Sequence, residues 1–338
     1  MGFFSLLRNS RALYAILTFM LAAGIGFPGL NVPDVDMTDV TVPDGFEEQL
    51  NADAFENSAD VRVMSYNVLV DFDWGSGVNP VQPRAAKFFK MLEAYSPDVI
   101  GVQEQSRAWT SVFVQYLPDG YKVINPVSTF KEQKMTTLVY NSNTLKLIDS
   151  GDYKFRTYKD AYKQNRRVAW GVFEVKETGK RFAVTNTHLD FLTWNNETNY
   201  WDDLDNRLQI IGSEVDEMTA TVNKIIKKYD CPVFSTGDYN TWDNRTDIDP
   251  SDPITKIYAK ITEEMTDSKF NCESSSVGDM TEIIPGALNQ DCISMDMHDG
   301  DHIFFKGDTV IKNFKLMSYS YLADISDHSG IFVDAQLN

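Results

Sequence analysis

Apolar and polar residues alternate along Val61-Arg62-Val63-Met64-Ser65-Tyr66-Asn67-Val68, which predicts a strand ending at Asn67. Between Pro83 and Tyr95, Ala85, Phe88, Phe89 and Leu92 recur at helical spacing, and Pro83 suits a first turn. Asp98-Val99-Ile100-Gly101-Val102 is a short apolar strand closed by Gln103-Glu104. The same patterning predicts strands over Thr137–Asn141, Val168–Lys176, Arg181–Thr187, Val233–Thr236, His302–Phe305 and Ile331–Ala335. A long amphipathic helix is expected from Leu204 to Lys228, with Leu208, Ile211, Val215, Met218, Val222, Ile225 and Ile226 on its buried stripe. Strand–helix–strand units mixed with successive strands predict a layered α/β (α+β) sandwich, and residues 61–338 read as one domain.

The chain ahead of this domain has a different character. Arg8 and Arg11 precede an uncharged run from Ala12 to Leu30 whose apolar centre lies at Leu13–Phe27. Its length falls between a signal-peptide core and a spanning helix, so residues 1–30 read as a signal peptide or an N-terminal membrane anchor. Basic residues on the N-terminal side favour placing the rest of the chain outside, giving an extracellular or cell-surface protein. Residues 31–60 carry nine acids and no base, with Pro33 and Pro43, and read as a solvated acidic linker.

Across all 338 residues, 31 Lys and Arg face 49 Asp and Glu, a net charge of −18. The domain alone carries −11. That balance argues against salt-driven nucleic-acid binding as the default. It leaves room for phosphate chemistry through a divalent cation, which inverts the local field. Of the three cysteines, Cys231 precedes a strand-like run and reads as buried. Cys272 and Cys292 flank a loop-like segment that a bridge between them would constrain.

Polar residues recur where these strands end or begin. Asn67 and Glu104 close the first two, and Thr187-His188-Leu189 closes a central one. Gly237-Asp238-Tyr239-Asn240 follows another, Asp301-His302 opens a further strand, and Ser326-Asp327-His328 precedes the last. Three of the four histidines fall in these places. Strand ends converge in layered sheets and are where ligand sites form. Carboxylates and an amide suit a hard cation such as Mg²⁺ or Mn²⁺, and histidines suit proton transfer. Taken singly, each element has an ordinary explanation as a solvated strand end, a turn or a cap.

The order of these elements resembles the endonuclease/exonuclease/phosphatase superfamily, with its deoxyribonuclease I-like fold. Its signatures appear as Ser65-Tyr66-Asn67, Pro97 to Glu104, Arg167-Val168-Ala169-Trp170, Asn186 to Asp190, Gly237 to Asn240, Asp301 to Phe304 and Ser326-Asp327-His328. His302 departs from the pattern, where Tyr is commoner. The resemblance implies a four-layered α/β sandwich and metal-dependent phosphoester hydrolysis with Mg²⁺ or Mn²⁺, one or two ions. It makes Glu104 the main metal ligand, with Asn67 and Asp327 beside it. Asp238 would orient or deprotonate the attacking water, and Asn240 would hold a phosphate oxygen. His328, oriented by Asp301, would contact or protonate the phosphoryl group. His188 would give another phosphate contact or proton. Arg167 would neutralise substrate charge, its alternative being a surface strand residue paired with an acid.

The expected partner is a phosphoester: a nucleic acid, a phospholipid or inositol head group, or a sugar phosphate. Membrane association would come through the N-terminus, and the chain is expected to be a monomer. The aromatic segment Phe191 to Trp201 follows His188 and would stack bases or sugars, enter a membrane interface, or simply pack. A catalytically inactive binding module on the same sandwich is the alternative function.

Overall fold

The computed structural model describes residues 33–53, 59–73, 77–78, 80–156, 166–195, 197–241, 252–275, 300–317 and 325–338. Its principal elements, in chain order, are α1 (Phe46–Asp53), β1 (Val61–Asn67), α2 (Val81–Tyr95), β2 (Val99–Gln105), α3 (Arg107–Tyr116), β3 (Tyr121–Val123), α4 (Pro126–Glu132), β4 (Met135–Asn141) and β5 (Leu145–Lys154). There follow β6 (Arg167–Val175), β7 (Arg181–His188), α5 (Leu204–Tyr229), β8 (Val233–Asp238), α6 (Pro253–Thr262), β9 (Thr266–Asp267), β10 (Cys272–Ser275), β11 (Asp301–Lys306), β12 (Thr309–Leu316) and β13 (Ile331–Leu337).

Two sheets stack face to face. One runs β10-β12-β13-β1-β2-β4-β3, the other β9-β11-β8-β7-β6-β5. Each has a parallel pair at its centre, β1 with β2 and β7 with β8, and antiparallel neighbours beside it, while β10 pairs parallel with β12 at the edge of the first sheet. Both central pairs end at the same pole, because Asn67 and Asp238 touch there.

Alternation along the strands separates three apolar layers. In β1, Val61 and Val63 point between the sheets, where they meet the layer of Phe173, Phe182, Val184, Phe234 and Ile303. Met64 and Tyr66 point the other way, into Phe88, Leu92, Trp109 and Phe113 of α2 and α3. On the far side, Val172, Ala183, Val233 and Phe304 meet Ile211, Val215, Met218 and Val222 of α5 and Ile257 and Ile261 of α6. The result is helices, sheet, sheet, helices: the expected four layers. The α5 stripe holds as predicted, with Leu208 and Ile226 only partly buried at its margins.

The sheets approach closely at Gly101, where a Cβ would lie 2.0 Å from Thr236 Oγ1 and 2.8 Å from Asn186 Oδ1. A polar bridge crosses the gap here. Asn186 Nδ2 donates to Val102 O (2.9 Å) and Thr137 O (2.7 Å), and its Oδ1 accepts from Gln103 Nε2 at 2.6 Å.

The acidic segment expected as a solvated linker is packed over its described part. Phe46 and Leu50, one helical turn apart, are buried against α2, and Val35, Met37 and Val42 pack on the same layer. Gln115 Nε2 donates to Pro33 O at 3.0 Å. Charge of one sign on the outer face conceals an apolar inner face. Residues 1–32 and Cys292 lie outside the described residues. Among the described residues no helix is long and apolar enough to cross a membrane, and Cys231 is buried with a free thiol.

Candidate active site

The site forms at the pole where the parallel strands end. Across the second sheet, His188, Asp238 and Asp301 stand in one register row. From the facing sheet come Asn67, at the last position of β1, and Glu104. Glu104 sits on a β-bulge between Gln103 and Gln105, with φ +59°. A bulge turns a side chain away from its regular alternation, and here it brings Glu104 into the gap beside Asn67. Backbone strain of this kind at a non-glycine residue is a common mark of functional sites. Gly237 lets β8 pass close to β7, since a Cβ there would meet Thr187 O at 2.7 Å.

Asp238 is the centre of the cluster. Its Oδ2 accepts from Asn67 Nδ2 at 3.0 Å and lies 3.3 Å from His188 Nε2 and 3.9 Å from His328 Nε2. Asn67 Nδ2 also reaches Glu104 Oε1 at 3.3 Å. His328 Nδ1 meets Asp301 Oδ2 at 2.6 Å. Asn240, with φ +49°, donates its backbone N–H to Asp238 Oδ1 (3.1 Å) and Nδ2 to Leu189 O (3.0 Å). One side-chain N–H of Asn240 is left for a ligand.

The two histidines are biased in opposite directions. Burial, with Arg166 and His328 nearby, holds His188 well below the usual imidazole range. Its contact with Asp238 is therefore a neutral hydrogen bond rather than an ion pair. Burial opposes charge on His328 too, but Asp301, Asp238 and Asp327 overcome it and hold that ring well above the usual range. Burial pushes the Asp238 carboxyl up to about 7, with Asp301 and Glu104 adding to the rise. Environments that split like groups in this way mark acid and base assignments.

The cluster is short of positive charge. Asp238, Asp301 and His328 place ligand atoms within 4.8 Å of one another, and Asp301 Oδ1 is buried without a hydrogen-bond partner among the described residues. The oxygen donors here, Asp238 and Asp301 with Glu104 and the amide of Asn67 beside them, fit a hard divalent cation, while His328 in its protonated form does not ligate.

The remaining expected residues take varied places. Asp327 Oδ1 lies 3.3 Å from Ser326 Oγ, whose hydroxyl donates to Asn67 O at 2.6 Å and ties the loop there. Arg167 opens β6 and is buried, yet Nη1 lies 3.4 Å from Asp152 and 3.5 Å from Glu132, so its charge is balanced by acids outside the cluster. This is the acid-paired alternative, in a buried rather than a surface position. His302 packs as expected, with Nδ1 3.1 Å from Asp267 Oδ2 and Nε2 3.1 Å from Thr241 O. Three features carry no signal in the residue pattern: the bridge through Asn186, Arg166, whose Nη1 donates to His188 O at 3.3 Å, and Arg84 behind the loop after Asn67.

No family model matches the chain, and no curated protein matches it in sequence. Solved structures do match in fold. An endonuclease/exonuclease/phosphatase protein of Bacteroides vulgatus is similar at TM-score 0.57 and 18% identity, over 82% of this chain and 99% of that one. A mannosyl-6-phosphatase of Bacteroides thetaiotaomicron gives TM-score 0.55 and 15% identity, over 81% and 99%. D. rerio TDP2 complexed with a single-strand DNA product gives 0.52 and 16%, over 82% and 98%. With the sheet order and the layering, these matches establish that the chain has the deoxyribonuclease I-like fold of the endonuclease/exonuclease/phosphatase proteins.

Proposed function

We propose that the protein is an exported or membrane-anchored, divalent-metal-dependent phosphoesterase. The observation that carries this reading is the meeting of Asn67, His188 and His328 on one carboxylate oxygen of Asp238, with Asp301 and Glu104 beside it. Asn67, Glu104 and Asp327 would hold the cation, which when bound offsets phosphoryl charge and acidifies water. Asp238 orients the attacking water and takes its proton. His328, kept protonated by Asp301, donates a proton to the leaving oxygen, and Asp301 fixes which ring nitrogen faces the substrate. His188, neutral, would turn its one N–H from Asp238 to a phosphoryl oxygen, and Asn240 offers a second N–H. Arg167 supports substrate binding only where it exchanges Asp152 or Glu132 for a substrate anion.

The leader supports the cellular part of the proposal: Arg8 and Arg11 before the apolar run of residues 12–30 suit export or anchoring. N-terminal sequencing and fractionation of the expressed protein distinguish a cleaved leader from a retained one. Neighbours in fold include a mannosyl-6-phosphatase and a protein bound to single-strand DNA. The substrate panel must therefore span monoesters and diesters. Full-length protein is tested with Mg²⁺, with Mn²⁺ and with EDTA on p-nitrophenyl phosphate, bis-p-nitrophenyl phosphate, plasmid DNA, sphingomyelin, inositol phosphates and sugar phosphates. Metal-dependent release of product from any of them supports the proposal. Inactivity on all favours a binding module.

A further inference from the structure

Arg84, on the first turns of α2, is buried and reaches two segments that lie far apart in sequence. Nη1 donates to Val68 O (2.6 Å), Leu69 O (3.0 Å) and Ile325 O (3.1 Å), and Nη2 donates to Val70 O at 2.9 Å. Nε donates to Pro80 O at 3.1 Å, and the guanidinium lies 5.1 Å from the centre of the Trp109 ring. Residues 68–70 follow Asn67, and Ile325 precedes Ser326-Asp327-His328. One planar cation thus fastens together the loops next to two of the proposed cation-holding side chains, Asn67 and Asp327, and Val70 of the first loop reaches the third, Glu104 on β2.

The peptide groups explain how this bears on the site. Leu69 has φ +56°, a left-handed conformation that costs a leucine about 1 kcal/mol or more. With its carbonyl drawn toward Arg84 and Trp109 Nε1 (2.8 Å), its N–H turns to Asn67 Oδ1 at 3.0 Å. In the next residue, Val70 O faces Arg84 while Val70 N donates to Glu104 Oε2 at 3.0 Å. The two faces of the loop are therefore coupled. Carbonyls gather on the guanidinium, and the freed N–H groups aim Asn67 and Glu104. On the other loop, Ser326 Oγ donates to Asn67 O (2.6 Å) and accepts from His328 N (3.2 Å), next to the carbonyl that Arg84 holds. Lysine lacks the fork needed to serve these acceptors together.

We propose that Arg84 is a positioning residue for cation binding, fixing Asn67, Glu104 and Asp327 through the backbone of residues 68–70 and of Ile325 without touching the substrate. The inference rests on the phosphoesterase reading above. It is tested with Arg84→Lys, which keeps the charge, and Arg84→Met, which keeps much of the apolar stem. Mn²⁺ affinity is read by paramagnetic resonance on the full-length protein, and amide hydrogen exchange is followed residue by residue. The expected result is Mn²⁺ binding weakened roughly 10–100-fold in Arg84→Lys. Exchange should quicken at Leu69, Val70 and residues 327–329 while β1, β2 and β8 stay protected. Wild-type Mn²⁺ affinity in a folded Arg84→Lys protein overturns the inference. So does exchange that quickens evenly through the core of both variants, since that would mark Arg84 as a general stabiliser. A wild-type protein that binds no Mn²⁺ overturns the phosphoesterase reading instead, and the exchange pattern then decides separately whether Arg84 orders the two loops.

Discussion

His328 Nδ1 and Asp301 Oδ2 face each other at 2.6 Å, and this contact decides the protonation of the site. Burial disfavours the imidazolium, and Asp301 foremost among the neighbouring carboxylates restores it, so the ring stays charged through neutral pH. Asp301→Asn keeps the shape and removes the charge. Without that carboxylate, His328 loses its proton at a lower pH. The alkaline limb of the activity profile should move to lower pH, and turnover near neutrality should fall roughly 10²–10⁴-fold. The pH dependence of kcat in wild type and variant checks this. An unmoved alkaline limb would remove His328 from the acid role.

Asp238 gives a prediction of opposite sense for activity and stability. Its folded carboxyl is raised to about 7 by burial and by Asp301 and Glu104. A raised acid binds its proton more tightly in the folded chain than in the unfolded one, so between the ordinary carboxylate range and about pH 7 folding loses stability as pH rises. In metal-free protein, Asp238→Asn should therefore raise Tm relative to wild type, and more at pH 8 than at pH 5. The same variant should lose metal-dependent turnover by orders of magnitude. Thermal melts in EDTA at the two pH values, with parallel rate measurements, check both halves. A variant that is stabilised and active would remove Asp238 from the chemistry.

What was legible in the sequence followed from chain-local signals. Asn67, His188, Asp238 and His328 stand at strand ends, and strand ends show as an apolar alternation that stops. Glu104 was readable as the residue closing a strand, but not as a bulge, because the register break lies in its pairing with β4. Arg84 could not be read at all. Its acceptors are backbone carbonyls, which every residue has, and Ile325 is 241 positions away. The strands β5 and β12 were missed because their partly buried faces blur the alternation. In the acidic segment, nine carboxylates outweighed two well-spaced apolar residues, Phe46 and Leu50.

That segment carries its own prediction. Phe46 is 5% exposed and Leu50 1%, both against α2, and Lys87 Nζ stands 5.9 Å from the Phe46 ring centre. Truncating either side chain should cost about 2–4 kcal/mol, measured as the shift in urea midpoint at constant m-value. A chain beginning at residue 60 should show a comparable or larger loss, with turnover per folded molecule little changed, because the segment supplies none of the residues that form the proposed site. Unfolding midpoints equal to wild type would return the segment to the status of a spacer.

The polar bridge behind the site makes the sharpest distinction between two near-isosteric changes. Asn186 is fully buried between the sheets, donating to Val102 O and Thr137 O on one side and accepting from Gln103 Nε2 and, at 3.3 Å, from Thr236 Oγ1 on the other. Asn186→Ala leaves these groups unsatisfied and should cost about 1–3 kcal/mol. Asn186→Asp is nearly the same shape but turns a carboxylate oxygen toward two carbonyls in a layer that excludes water, so its cost should exceed that of alanine at neutral pH. Protonating the new acid restores a donor, so the aspartate variant should regain stability as pH falls while the alanine variant does not. Because Asn186 lies two residues before His188 on β7, the aspartate variant should also depress turnover at pH 8 more than at pH 6, relative to wild type. Urea unfolding of both variants across that pH range, with rates measured alongside, tests whether this bridge sets the spacing of the sheets on which the site is built.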